Sequence, residues 1–310
     1  MEFKLLENII AIAEEGNLSR AAKRLFVSQP ALSQQLSKLE SQLGTPLFFR
    51  GKNGLSLTQA GEIYIDGALK MLAIRDEMYN HIYDIASSKN GSLSVGVAPG
   101  RSPMIVSSIY PQFRKKFPAF KVQILDYNCI QAEEMLTQGK IDLGFSLLTD
   151  SEISSKLPIS YASLIHEEIY LVTSKNHPVA SRYYQGSRCP IIDLSLFKNE
   201  SFALTTKDSK LRHFVDELFA FYSINPPVHY EVYNVEAIMT VVAKSNLVTL
   251  IPSGFLPKSQ NLIHFRLNPK RFMDFAICWN SNHYITTAEQ HFISLCQNFY
   301  QQCLLNDADW

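Results

Sequence analysis

The stretch from Val27 to Gly44, VSQPALSQQLSKLESQLG, decides how the rest of the chain is read. Placing its residues at roughly 100° per step puts Leu32, Leu36, Leu39 and Leu43 on one helical face, which predicts burial. The opposite face carries Pro30, Gln34, Ser37, Lys38 and Ser41, with Gln29, Ala31 and Ser33 near the N-terminal end. An ordinary solvated face is rich in Glu and Lys, whereas this one is mostly Ser and Gln. Gln pairs bidentately with adenine, Ser serves as donor or acceptor, and Ala meets a thymine methyl. Such a face suits a DNA groove. Ser28 is placed to cap the helix, and Pro30 falls in the first turn, where a backbone N–H has no helical partner anyway.

Toward the N-terminus, Phe3, Leu6, Ile9, Ile10 and Ala13 form the stripe of an amphipathic helix that Gly16 ends. Asn17 or Ser19 can cap a second, short helix, RAAKRLF, whose Ala21 and Ala22 permit close packing. Two short helices joined by a tight turn, roofed by a first one, predict a helix-turn-helix. Arg20, Lys23 and Arg24 on the second helix, with Arg50 and Lys52 beyond the third, offer cations to phosphates, which fix register without reading sequence. Beyond the Gly44 stop come Leu47, Phe48 and Phe49, a turn at Gly51 to Gly54, and the alternating LSLT, the pattern of a two-stranded wing. Residues 1–58 hold seven Lys/Arg against five Glu, which predicts a local basic patch rather than a basic domain.

A chain of 310 residues exceeds the usual size of one core, so two or three domains are expected. Lys+Arg and Asp+Glu both total 29, and this balance excludes a bulk polyanion binder. Cys129, Cys189, Cys278, Cys296 and Cys303 form no C-x-x-C pair, which argues against a disulfide framework or a zinc site. The N-terminal residues lack a basic n-region and a cleavage site, and no apolar run approaches the ~18 residues of a membrane span. A cytoplasmic location is expected.

From Thr58 to about Ser87 no Pro occurs, and apolar residues recur at Tyr64, Ala68, Met71, Met78, Ile82 and Ile85, with Arg75 interrupting once. A second stripe, Ile65, Leu69, Leu72, Tyr79 and Tyr83, runs beside it. About thirty helical residues reach ~45 Å. A helix this long and apolar needs a partner, either its own domain or a second copy of the chain. A second copy would bring two reader helices to two half-sites of a palindrome. SSKNGS at 87–92 predicts a hinge.

From Leu93 strand and helix patterns alternate, which implies α/β lobes with largely parallel sheets and ligands at the carboxyl ends of strands. After the first strand, in APGRSPMI, Ser102 suits an N-cap and Pro103 a first helical residue. Backbone N–H groups beside Gly100 and Arg101 are then expected to face a cleft as an anion site, where Arg101 could add a clamp for a carboxylate effector.

The run NLSRAAKRLFVSQPALSQQLSKLESQLGTPLFFR, followed by LSLTQAG, resembles the N-terminal domain of the LysR-type transcriptional regulators. Ala21, Ala22, Ser28, Gln29, Leu39, Glu40, Gly44, Leu47, Phe48, Arg50, Leu57, Thr58 and Gly61 stand where that family's pattern has them. One departure is Asn53, where a wing Arg is frequent, with Lys52 beside it as the alternative cation. The resemblance implies a winged helix-turn-helix over residues 1–58 and a dimerisation helix and hinge over 59–90. It further implies a two-lobed α/β effector domain of the periplasmic-binding-protein kind over 91–310. Lobe one is expected at about 91–163 plus 268–303 and lobe two at about 164–267, with hinge strands near 160–165 and 265–270. Promoter DNA, a small-molecule effector, self-association as dimer or tetramer, and RNA polymerase are the implied partners, with no cofactor. Asn128, Thr149, Phe202 and Thr205 occupy positions where members of the family contact effectors. Gly100 and the run Ser245, Asn246, Leu247 depart from the usual first-strand loop and G-x-G.

The eight His residues make no H-E-x-x-H, and no G-x-S-x-G, Walker or G-x-G-x-x-G motif occurs. An α/β enzyme therefore lacks a visible constellation, and a transported-solute receptor lacks an export signal. A ligand-responsive DNA-binding regulator accounts for all three segments together.

Overall fold

A computed structural model describes residues 3–51, 54–85, 90–148, 157–184, 189–256 and 261–306. The chain separates into two compact units, Met1–Ser88 with Gln138–Lys140, and the remainder. In the first, helices α1 (Phe3–Glu15), α2 (Leu18–Arg24) and α3 (Gln29–Leu43) precede strands β1 (Phe48–Gly51) and β2 (Gly54–Leu57) and the long helix α4 (Gln59–Ile85).

Local chemistry sets the boundaries. The Asn17 side chain accepts hydrogen bonds from the N–H groups of Ser19 (2.8 Å) and Arg20 (3.1 Å), starting α2. Ser28 Oγ accepts from Ala31 N at 3.4 Å, starting α3, and Gly44 ends that helix at φ +70°, a conformation that favours glycine. Glu40 Oε1 accepts from Leu47 N (2.8 Å) and Phe48 N (3.3 Å), tying α3 to the wing. Thr58 Oγ1 donates to the Pro46 carbonyl at 2.8 Å and accepts from Gly61 N at 3.0 Å. A Cβ on Gly61 would lie 2.1 Å from the Leu47 carbonyl oxygen, so only glycine lets α4 pass that close to the wing.

Ile9, Ile12, Ala21, Ala22, Leu32, Leu36, Leu39, Leu47 and Phe48 form the core of this unit. Two expected core positions differ, because Phe3 and Leu43 sit at helix ends and are exposed, while Ile12 is fully buried. The α4 stripe also differs from the expected one. Ala68 is only 1% exposed and packs with Leu6 and Ile10 of α1, and Tyr64 lines the same seam. The outward-facing apolar residues are Ile63, Met71, Ile74, Met78, Tyr79 and Ile82, with Ile63 70% exposed. At its start the free seam is thus displaced one residue toward the N-terminus, because α1 occupies the face that Tyr64 and Ala68 share. Arg75 joins α4 to α1 through Glu7 at 2.8 Å and lies over the Phe3 ring.

The second unit opens with β3 (Asn90–Val97), α5 (Ser102–Met104), a π-helical turn at Ile105–Ile109, α6 (Tyr110–Lys116), β4 (Ala119–Asp126), α7 (Cys129–Thr137) and β5 (Leu143–Leu148). There follow β6 (Ile159–Ser174), α8 (Ala180–Tyr183), β7 (Ile191–Ile192), β8 (Phe202–Leu204), α9 (Lys210–Phe221), β9 (Val228–Glu231) and α10 (Val235–Val242). The last elements are β10 (Val248–Pro252), β11 (Leu262–Leu267), β12 (Phe272–Asn280) and α11 (Thr287–Asn306). Among the described residues the strands run β4-β3-β5-β12-β6-β10-β8-β9, with β11 on β6 and β7 on β11.

Strand β6 belongs to both lobes. Its residues 159–168 pair with β12, and from Ile169 onward it pairs with β10 and β11. That exchange of partners lies beyond the 160–165 stretch expected for the first hinge. The sheet is mixed rather than largely parallel: β3 is parallel to β4 and β5, and β8 to β9 and β10, whereas β6 and β12 run against their neighbours. Each lobe keeps its own core, one around Phe113, Phe145 and Phe292, the other around Phe197, Phe202 and Phe265.

Candidate nucleic-acid interface and interlobe cleft

Burial of Leu32, Leu36 and Leu39 turns the opposite face of α3 outward. Ser28, Gln29, Pro30, Ala31, Gln34, Ser37 and Lys38 are exposed and Ser33 is half-buried. Ser19 Oγ donates to Gln29 Oε1 at 3.0 Å, which links α2 to the tip of α3. Lys23, Lys38 and Arg50 are exposed, and no ion pair among the described residues involves them. Lys52 lies outside the described residues.

Arg20 and Arg24, expected to offer cations to phosphates, both meet acids of α1. Arg24 Nη1 lies 2.7 Å from Glu14 Oε2, and Arg20 donates to the Glu15 carbonyl. Hydrogen bonding and charge from Glu14 hold the Arg24 guanidinium above its ordinary pKa. Glu14 and Glu15 at the end of α1 therefore pair with Arg20 and Arg24 but not with Lys23. Sequence reading also passed over Phe26, which is 97% exposed at φ +55° in the turn between α2 and α3. Its signal was available, since a large apolar residue falls there in neither helical stripe.

In the second unit the loop after β3, the start of α7 and the segment after β8 carry the residues expected at an interlobe cleft. The expected anion nest at its mouth is not formed as predicted. The N–H groups of Arg101 and Ser102 both donate to the Ala98 carbonyl, at 2.8 and 3.2 Å. Ser102 is the first residue of α5 and not its cap. Gly100 is half-buried beside the ring of Phe255.

Arg101 is buried rather than open to a carboxylate. Its Nη2 lies 2.5 Å from Glu167 Oε2, and its guanidinium is held between the rings of Phe255 and Phe275, 4.4 Å from each centroid. Burial opposes its charge, but Glu167 and the Tyr300 hydroxyl outweigh that and hold its pKa above the ordinary value. Glu167 Oε1 accepts in turn from Gly254 N at 3.0 Å, so the pair bridges β6, the loop after β3 and the turn after β10.

Asn128 is buried as the start of α7. Its Oδ1 accepts from Gln131 N at 2.7 Å while its N–H donates to Gln131 Oε1 at 3.1 Å. Thr205 is buried and accepts from Ser209 Oγ at 2.7 Å, next to the cap of α9. Phe202 is fully buried, edge-on to Phe219 in the core of lobe two. Thr149 lies outside the described residues.

A buried ion pair between the two lobes was not found from sequence. Lys210 Nζ at the start of α9 lies 2.6 Å from Glu133 Oε1 on α7, and the same oxygen accepts from Ser146 Oγ (2.7 Å) and Tyr161 Oη (3.0 Å). Cys129, one turn before Glu133, has its thiol pushed up by burial, as do Cys278 and Cys296, so these sulfurs stay protonated. Elsewhere, Asp142, His283 and Glu289 bring ligand-type atoms within 4.8 Å of one another. Asp142 Oδ2 accepts from Ser94 N and Oγ, and Glu289 accepts from Thr286 N and His283, so these groups already serve loop and helix ends.

Among the described residues no helix is long and apolar enough to cross a membrane. Residues 3–62 match the family model of bacterial regulatory helix-turn-helix proteins of the lysR family, and residues 86–301 match that of the LysR substrate binding domain. The chain is 25% identical to YcgK, an uncharacterized HTH-type transcriptional regulator of Bacillus subtilis (strain 168), over 99% of this chain and 98% of that protein. It is 39% identical to the HTH-type transcriptional regulator BudR of Klebsiella aerogenes, over 46% of this chain and the whole of that protein. In fold it resembles full-length CbnR complexed with its target DNA, with a TM-score of 0.67 at 21% identity, covering 96% of this chain and 99% of that one.

Proposed function

The chain belongs to the LysR-type family of transcriptional regulators, DNA-binding proteins with an effector-binding domain, and we propose that it acts in the cytoplasm as a homodimer, or a dimer of dimers, on an interrupted palindrome in promoter DNA. Helix α3 reads bases with Ser28, Gln29, Ala31, Ser33, Gln34 and Ser37, while Lys23, Lys38, Arg50 and Lys52 hold phosphates. The exposed seam Ile63, Met71, Ile74, Met78 and Ile82 of α4 pairs with that of a second copy, which sets the spacing of the two reader helices. A small molecule bound between the lobes changes that spacing and so the contact with RNA polymerase. Effector and DNA then shift each other's binding by the same factor, typically ~1–3 kcal/mol.

The observation that carries this reading is the division of α3 into a buried leucine face and an exposed, almost uncharged hydrogen-bonding face. Full-length CbnR, of similar fold, is described as bound to its target DNA, which supports the same use of the corresponding unit here. Footprinting across promoters, beginning with the protein's own, is expected to show a protected, two-fold related site. Uniform weak protection on all sequences would overturn the reading. Size-exclusion chromatography of Met78→Glu is expected to show a shift toward smaller species.

A further inference from the structure

The turn that joins α2 to α3 holds a residue that the fold itself does not call for. Val27 N donates to the Ala22 carbonyl at 3.0 Å and Phe26 N to the Lys23 carbonyl at 3.3 Å, the paired bonds of a helix end whose outer residue is left-handed. Phe26 is that residue, at φ +55°. The same pattern ends α9, where Ile224 N donates to the Phe219 carbonyl and Ser223 N to the Ala220 carbonyl, and the left-handed residue there is the small Ser223. In the turns after α1, α3 and α7 it is Gly16, Gly44 or Gly139. A left-handed backbone crowds any Cβ, and under a bulky side chain it is an outlier.

No contact within the described residues offsets that strain. The neighbours Leu25 and Val27 pack against the core of the unit, whereas Phe26 is 97% exposed and belongs to no hydrophobic cluster. A single apolar residue on a surface is ordinary. A bare aromatic ring on a strained backbone combines two costs at one position, and such an outlier points to a contact with another molecule.

The place of the turn identifies that molecule. In a helix-turn-helix the first helix crosses the DNA backbone and the second sets its N-terminal residues into the major groove. The connecting turn then runs along the lip of the groove, beside one sugar-phosphate strand. Exposed Lys23 precedes Phe26 by three residues, and exposed Ser28 and Gln29 follow it by two and three. The ring thus lies between a phosphate ligand and the base readers, outside the groove, where the apolar surface on offer is the C–H face of deoxyribose.

We propose that Phe26 is an apolar anchor that packs on a deoxyribose of the backbone strand at the lip of the major groove. The inference rests on the reading of α3 as the base-reading helix. Such a contact adds affinity without charge and without sequence preference, which sets it apart from both Arg50 and Gln34. Covering about 60 Å² of the ring is worth roughly a factor of ten in affinity at each half-site.

The test compares the full-length protein with Phe26→Gly, Phe26→Asn and Phe26→Tyr, on a duplex protected in the promoter footprint and on a random duplex of equal length. Phe26→Gly and Phe26→Asn fit the left-handed position and remove the ring, so both are expected to raise the melting temperature while weakening DNA binding. The loss is expected to be ~10-fold or more and similar on both duplexes. The salt slope is expected to stay unchanged, because it counts neutralised phosphates. Phe26→Tyr keeps the ring and is expected to bind like the unmutated protein. Unchanged DNA affinity in the Gly and Asn variants would overturn the proposal. So would a lowered melting temperature in both, which would give the ring a folding role, or a changed oligomeric state on size-exclusion chromatography, which would place it against a second copy. A loss confined to one base pair would put the ring on a base and overturn the deoxyribose contact. If the unmutated protein protects no selective site, the reading of α3 fails, and the proposal with it; selective protection with full affinity in Phe26→Asn removes the anchor alone.

Discussion

The outward face of α3 and the interlobe cleft use polar side chains in opposite ways. On α3 the groups are mostly uncharged and exposed, and the leucines behind them find partners within the first fifty residues. In the cleft the groups are charged and buried, and their partners lie 66 and 77 positions away. An exposed, unsaturated face waits for a second molecule, whereas a buried, saturated one has already supplied its own counter-charges. Mutations at the buried pairs should therefore act on folding first, and those on α3 on recognition alone.

The largest effect is expected from Glu167→Gln, which leaves the buried Arg101 guanidinium without its carboxylate. Breaking a buried pair costs ~3–5 kcal/mol, to be read from urea melts of the full-length protein. A loss below ~1 kcal/mol would mean that water reaches Arg101 and that the contrast in burial is false. Next, Gln34→Ala is expected to leave the melt unchanged but to relax base preference at one position of each half-site by ~1–3 kcal/mol, measured by competition between single-base variants. Smaller still, Arg50→Ala should weaken specific and random DNA alike and lower the salt slope by about one. If Gln34→Ala and Arg50→Ala weaken specific and random DNA equally, the division between reader and anchor is wrong. The smallest change belongs to Arg24→Ala: its pair with Glu14 is half exposed, so stability should move by ~0–1 kcal/mol, and the salt slope less than for Arg50→Ala.

The same contrast explains what was legible in the sequence. The N-terminal unit is built from local rules: a 3.6-residue period, caps acting two or three residues away, and a Glu40 that reaches residues seven and eight positions on. Its misreadings concern ends and neighbours. Phe3 and Leu43 continue their stripes past the point where anything covers them, and Tyr64 and Ala68 are claimed by α1. In the α/β unit the alternation of elements was legible, but the cleft was not. No periodicity marks Glu133 or Lys210, because what pairs them is the crossing of β6 from one lobe to the other. Arg101 was read as an open clamp because its sequence neighbourhood does not contain Glu167, Phe255 or Phe275. Phe202 was carried over by position, and its burial depends on Phe219, which only the packing of α9 on β8 brings near.

The close passage at Gly61 has a mechanical consequence. With Thr58 tied to Pro46 and Glu40 to the wing, the root of α4 cannot turn without carrying α3 along. A 27-residue helix is a rigid arm of ~40 Å. Tilting such an arm by only ~5° sweeps its end through ~3.5 Å, about the rise of one base pair. Small rotations at one end of α4 are thereby geared into whole-base-pair steps at the other.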